Sequence, residues 1–144
     1  MVDAELIEAA RELVRQRYVP EWHEVGAAMR TASGAVFTAV HLDANIGRVS
    51  VCAETIALGR AVTAGDPQIR TVVAVRHPEP DDPDRRLRVV SPCGICREML
   101  TDYAPDATVI HPDAAGEPVT ALARDLLPYK YRREHPLGHG RAQA

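Results

Sequence analysis

Between residues 3 and 18 the apolar positions Ala4, Leu6, Ile7, Ala10, Leu13 and Val14 return with the period of an α-helix, and Arg17 continues the stripe. Asp3 stands where an N-cap belongs, and Pro20 ends the element because the residue before a proline is pushed out of the helical region. Residues 24–30 and 35–42 then read as two strands, with Ser33-Gly34 as a hairpin turn between them. Residues 43–50 form a loop marked by Asn45 and Gly47. A helical pattern over 52–64 follows, stopped by Gly65-Asp66-Pro67. Residues 71–76 are a β-branched apolar run of the kind found in buried strands. Residues 77–86 carry prolines and acidic side chains in alternation, the mark of a loop, in which Asp81, Asp82 and Asp84 beside Arg85 and Arg86 read as a solvated face. A short strand over 87–90, a helix over 95–103, a strand over 107–111, a turn over 113–116 and a short helix over 122–126 complete the pattern. A helix, a hairpin, and then strands alternating with helices predict a three-layer α/β domain around one mixed sheet.

Composition narrows this picture. A chain of 144 residues is one domain and can bury about two-thirds of its unfolded surface, so its core needs no disulfides. With 46% apolar but only 4% aromatic residues, that core must be built from Ala, Val, Leu and Ile. The net charge of −3 offers no basic field, so neither nucleic acid nor an anionic membrane is expected as a partner. The start, Met1-Val2-Asp3-Ala4-Glu5, is acidic where a signal peptide is basic, and a cytoplasmic location is the expectation. The 3 cysteines cannot all pair, and in a reducing compartment they point to a metal.

Those cysteines fall in two short runs, Cys52-Ala53-Glu54 and Pro92-Cys93-Gly94-Ile95-Cys96, each opening a predicted helix. The free N–H groups and dipole of a helix N-terminus favour thiolates, and thiolates bind zinc. A catalytic zinc site keeps three protein ligands and one open position; a structural site is usually closed by four. Cys52, Cys93 and Cys96 supply three, and Glu54, two residues beyond Cys52, supplies a base that a structural site would not need. A closed structural site and a cysteine nucleophile with a histidine base are the alternatives, and the second leaves the Cys93–Cys96 pair unexplained.

Val51-Cys52-Ala53-Glu54 together with Ser91-Pro92-Cys93-Gly94-Ile95-Cys96-Arg97 resembles the cytidine deaminase family, in its three-cysteine, small-subunit branch. Val25-Gly26-Ala27-Ala28 and Leu126-Leu127-Pro128 are also similar to that branch and occur in its order, so the likeness runs to Tyr131. It implies an α-β-α fold with a mixed five-stranded sheet over residues 1–131, a Zn2+ cofactor on the three cysteines, and a homotetramer; residues 132–144 read from their own composition as a flexible tail. It also implies zinc-dependent hydrolytic deamination of a cytidine-type aminopyrimidine nucleoside to the uridine-type product and ammonia, with Glu54 moving the protons. The alternatives are the same chemistry on blasticidin S, a free base or a modified nucleoside, and a non-catalytic, zinc-stabilised binding subunit.

The resemblance also assigns the substrate side. The backbone of Ala53 and the turn at Ser91 meet the ring edge. His41-Leu42-Asp43 stands where the family has the Asn-x-Glu that grips the ribose, so His41 and Asp43 are candidate sugar contacts, with hydroxyl-binding capacity but a shorter acid. His23 or Trp22 occupies the place of a ring-stacking aromatic, and Tyr131 that of an aromatic closing over a pocket. Arg48 precedes the first ligand and could meet an anionic group or a neighbouring chain. Thr55 replaces an arginine that balances thiolate charge in several members, which shifts that task to the helix ends and Arg97. His135 and His139 read as solvated tail residues.

Overall fold

The computed structural model describes residues 1–134; His135 and His139 lie outside them. The first helix, α1 (Ala4–Arg17), is capped as expected: the Asp3 side chain accepts the Leu6 N–H at 3.0 Å. Its buried face is Leu6, Ile7, Ala10 and Val14. Beyond it come β1 (Val25–Thr31), β2 (Val36–Val40), a 3-10 turn (Gly47–Val49), α2 (Ala53–Thr63), β3 (Ile69–Arg76), β4 (Arg88–Val90), α3 (Gly94–Tyr103), β5 (Thr108–Pro112), β6 (Pro118–Leu122) and a second 3-10 turn (Ala123–Leu126).

Five strands run in the order β2-β1-β3-β5-β6, and β4 pairs with β3 off that path. β3 is the axis. One of its edges pairs antiparallel with β1 throughout. The other is shared: Thr71, Val72 and Val73 pair parallel with β5, while Ala74, Val75 and Arg76 pair antiparallel with β4. Side chains alternate across the sheet with the period of a strand. Ala28, Val73, Val75, Val89 and Ile110 meet α1 on one face; Ala27, Met29, Val72, Ala74 and Val109 meet α2 and α3 on the other. The three layers expected from the pattern are therefore present. At the α1 crossing, a Cβ on Gly26 would lie 2.8 Å from the Ala10 carbonyl oxygen and 2.9 Å from the Val14 Cβ, so glycine sets how closely helix and sheet approach.

The observed strands exceed the expected count by one. β6 escaped the pattern because it is an edge strand opening on proline, with no fully buried position to produce alternation. The short helix expected over 122–126 is instead the 3-10 turn that ends β6. The 77–87 loop is tied together: the Asp84 carboxylate accepts from Arg86 and Arg88, and the Arg85 guanidinium donates to the Glu79 carbonyl at 2.6 Å. The Tyr18 ring stacks on His77 at its base, with centroids 3.6 Å apart. Among the described residues, no helix is long and apolar enough to cross a membrane.

Asp3 does more than cap. Its carboxylate takes the Arg30 guanidinium, Nε at 2.7 Å and Nη2 at 3.2 Å, fastening the start of α1 to the end of β1. That hydrogen bond, ahead of the Leu6 N–H, holds the Asp3 carboxyl below its ordinary 3.8. Asp3→Asn keeps a capping oxygen and removes the charge, and should cost about 1 kcal/mol at neutral pH. A lowered folded-state pKa contributes stability that is complete above 3.8 and is lost as the pH falls through the folded value. The gap between wild-type and variant melting temperatures should therefore close as the pH is lowered below 3.8.

Candidate metal centre

α2 and α3 start side by side. Cys52 is the N-cap of α2 and Cys93 the N-cap of α3, both in extended backbone, and Cys96 lies in the first turn of α3. Their Sγ atoms all fall within 4.8 Å of one another, with Cys52–Cys93 at 3.3 Å and Cys93–Cys96 at 3.7 Å. A tetrahedral zinc with Zn–S bonds of about 2.3 Å has S–S edges of about 3.8 Å, so the three sulfurs fit such an ion. Cys96 is buried, Cys52 half-buried and Cys93 exposed, which leaves one side of the group open.

As thiols they resist ionising together. Burial first, and then the neighbouring sulfur of Cys93, pushes Cys52 up to about 11. Burial and the charge of Glu54 push Cys96 further still. At Cys93 burial also acts upward, but the backbone N–H of Cys96 and the other two sulfurs outweigh it, and the net shift is downward. Glu54 is 6% exposed, and burial holds its carboxyl above the ordinary range. A carboxyl raised by burial and placed beside the three sulfurs suits a group that takes up and returns protons.

The substrate-side candidates divide. Leu42 and Val51 exchange backbone hydrogen bonds at 2.9 Å each. Such a pair puts the flanking residues opposite one another, His41 beside Cys52 and Asp43 beside Ser50. The second juxtaposition is sealed by the Ser50 hydroxyl, which donates to Asp43 Oδ1 at 2.9 Å, and the Ala44 N–H reaches the same oxygen at 2.8 Å. These bonds, the backbone one first, lower the Asp43 carboxyl. His41 Nδ1 accepts the N–H groups of Glu24 and Val25 at 3.0 and 3.3 Å, which places its proton on Nε2, 3.9 Å from Asp43 Oδ2. The His23 Nδ1–H donates to the His41 carbonyl at 3.0 Å, leaving His23 Nε2 as an acceptor. Ala53 is buried at the foot of α2, and Ser91 is exposed just ahead of the second ligand turn.

Tyr131 stands apart. It is 81% exposed, and its neighbours Lys130 and Arg132 are held against Asp102, about 9 Å along α3 from Cys96 at 1.5 Å per residue. Arg97 spends its side chain on the carbonyls of Pro92 (2.9 Å) and Leu126 (3.0 Å), so it secures the ligand turn rather than pairing with a sulfur. Arg48 is exposed on the 3-10 turn. The Thr55 Oγ1 is buried without a hydrogen-bond partner. Ser50 and Lys130 went unmarked in the sequence, because a serine in a loop and a lysine near a chain end carry no pattern.

Residues 1–111 match the family described as the cytidine and deoxycytidylate deaminase zinc-binding region. The chain belongs to that family. It is 50% identical over 131 residues to a blasticidin-S deaminase from Bacillus cereus, covering 91% of this chain and 93% of that one. It is 28% identical over 130 residues to a probable cytidine deaminase from Dictyostelium discoideum, covering 89% and 82%. Among solved structures, the cytidine deaminase from Burkholderia pseudomallei superposes with a TM-score of 0.73 at 29% identity, over 91% of this chain and 100% of that chain. The cytidine deaminase from Mycobacterium tuberculosis does so with a TM-score of 0.72 at 25% identity, over 92% and 100%. The protein is a hydrolytic deaminase of this family with a three-cysteine cluster suited to zinc.

Because Cys52 and Cys96 are both held as thiols near neutral pH, zinc uptake should release at least two protons per chain, the thiolate being the metal-binding form. Chelator competition at several pH values around 7 should accordingly show an apparent zinc affinity that rises by about a hundredfold or more per pH unit.

Proposed function

We propose that the chain removes the exocyclic amine from the cytosine-type ring of a nucleoside, giving the uracil-type product and ammonia, and that blasticidin S comes ahead of cytidine as its substrate. The observation that carries the reaction is the buried Glu54 beside three converging sulfurs. The choice of substrate draws support from the 50% identity with the blasticidin-S deaminase, against 28%, 24% and 27% for cytidine deaminases from Dictyostelium discoideum, Sporosarcina psychrophila and Halalkalibacterium halodurans. Cys52, Cys93 and Cys96 would hold the zinc, which supplies an electrophile and makes water acidic enough to act as a nucleophile near neutral pH. Glu54 takes the first proton of the attacking water and passes it to the ring nitrogen, then takes the second from the added hydroxyl and passes it to the amine, which departs as ammonia. The Ala53 and Ser91 backbone meets the ring edge. His41, as an Nε2–H donor, and Asp43, as an acceptor, face the sugar portion, and His23 stands beside them. Glu54→Gln should keep about one zinc per chain. Its ammonia release should fall by about a hundred- to ten-thousandfold. Wild-type protein should release ammonia from blasticidin S faster than from cytidine or deoxycytidine; turnover of cytidine alone would reverse the order of substrates, and full activity in the Gln variant would remove Glu54 from its role.

We infer that the protein works as a homotetramer in the cytoplasm, where its thiols stay reduced. Leu42, Ile46, Val49 and Ile95 are 46%, 65%, 58% and 64% exposed, and Tyr131 is 81% exposed, so each is accessible to a neighbouring chain. Sedimentation equilibrium should give four times the chain mass of 15.7 kDa; a monomer mass would remove the tetramer.

A further inference from the structure

Two of the three sulfurs ride on α3, the helix with the least apolar anchorage. Of its ten residues it buries only Cys96, Leu100 and Thr101, whereas α1 buries Leu6, Ile7, Ala10 and Val14, and α2 buries Ala53, Glu54, Ala57, Leu58 and Ala61. One of the three on α3 is a ligand and another carries a hydroxyl. Something besides hydrophobic burial must therefore set where α3 lies.

The chain beyond Leu126 supplies it. Tyr129 takes a left-handed backbone with φ of 55°, and the next residue, Lys130, returns toward α3. Its side chain is 3% exposed. Its ammonium donates to the Glu98 carbonyl at 3.1 Å, the Thr101 hydroxyl at 3.0 Å and the Asp102 carboxylate at 2.8 Å, and lies 2.7 Å from the Glu98 carboxylate. The Thr101 hydroxyl in turn donates to the Arg97 carbonyl at 2.8 Å. The Arg97 guanidinium holds the carbonyls of Pro92 and Leu126, and the Arg97 backbone N–H donates to the Cys93 carbonyl at 2.9 Å. Hydrogen bonds thus link Lys130 through Thr101 to Arg97, which in turn holds the carbonyls of Pro92 and Cys93. Groups that orient metal ligands from outside the ligand set commonly govern metal affinity.

We propose that Lys130 is a positioning residue of the metal centre, clamping the segment after Leu126 onto α3 and, through Thr101 and Arg97, fixing the Pro92–Cys96 turn so that its two sulfurs meet that of Cys52. The proposal rests on the three sulfurs holding zinc, and wild-type zinc content is therefore measured first: absence of zinc would overturn the metal assignment and this inference with it. Lys130→Met keeps the apolar stem and removes the charge. Glu98→Gln combined with Asp102→Asn removes the exposed counter-charges and disturbs the core least. Zinc dissociation is read by chelator competition at a temperature where circular dichroism shows every variant folded. The expected result is a rise of about tenfold in the zinc dissociation constant for each, with Lys130→Arg recovering most of it. If Lys130→Met does not fold, the double variant decides. Variants that melt earlier yet hold zinc within about twofold of wild type would overturn the proposal and reduce Lys130 to a stabilising contact.

Discussion

Three sulfur atoms gathered within 4.8 Å resist being ionised together. Two unit charges 4 Å apart repel by about 4 kcal/mol at the effective dielectric of a protein surface, and the cluster contains three such pairs with a carboxylate beside them. A divalent cation turns that repulsion into attraction, and two helix N-termini aimed at the same point lower the residual cost. The architecture answers this demand. α2 and α3 start next to one another, their caps are Cys52 and Cys93, and the central strand β3 beneath is largely buried.

The same constraint reaches His41 and Asp43 through backbone. The Leu42–Val51 bridge lies one residue before Cys52, so whatever fixes Cys52 also fixes His41 and Asp43. Each of those side chains is held on one side: His41 by two backbone N–H groups at Nδ1, Asp43 by Ala44 and Ser50 at Oδ1. What each presents outward is a single defined function, a donor and an acceptor. His41 and Asp43 are thus held in place, as the three sulfurs are.

Much of this was legible in the chain because its signals are local. The α1 stripe, the Asp3 cap, the glycines of the turns and the two cysteine runs each declare themselves within a few residues. The family and its three-layer fold follow from the motif pair. What could not be read depends on partners distant in sequence. β6 exists because β5 offers it an edge, and nothing in Pro118–Leu122 announces a pairing face. Arg97, expected to lend charge to the sulfurs, is drawn instead to two carbonyls that only the folded chain brings within reach. Lys130 gains its meaning from acceptors 28 to 32 residues earlier. The histidine tautomers at 23 and 41 follow from backbone groups that no spacing rule supplies.

The shared edge of β3 has a consequence for how the chain can vary in length. β4 runs toward β5 along that edge and stops at Val90 opposite Ala74, because the adjoining position at Val73 is already taken by Ile110. The two strands meet head-on, and the polypeptide leaving Val90 has no lane left in the sheet, so it must climb out of the plane at once, which is what delivers Cys93 to the layer above. Neither strand can grow there without evicting the other. The 77–87 excursion lies outside that crowded edge, so residues added there would leave the exit ramp at Ser91 untouched.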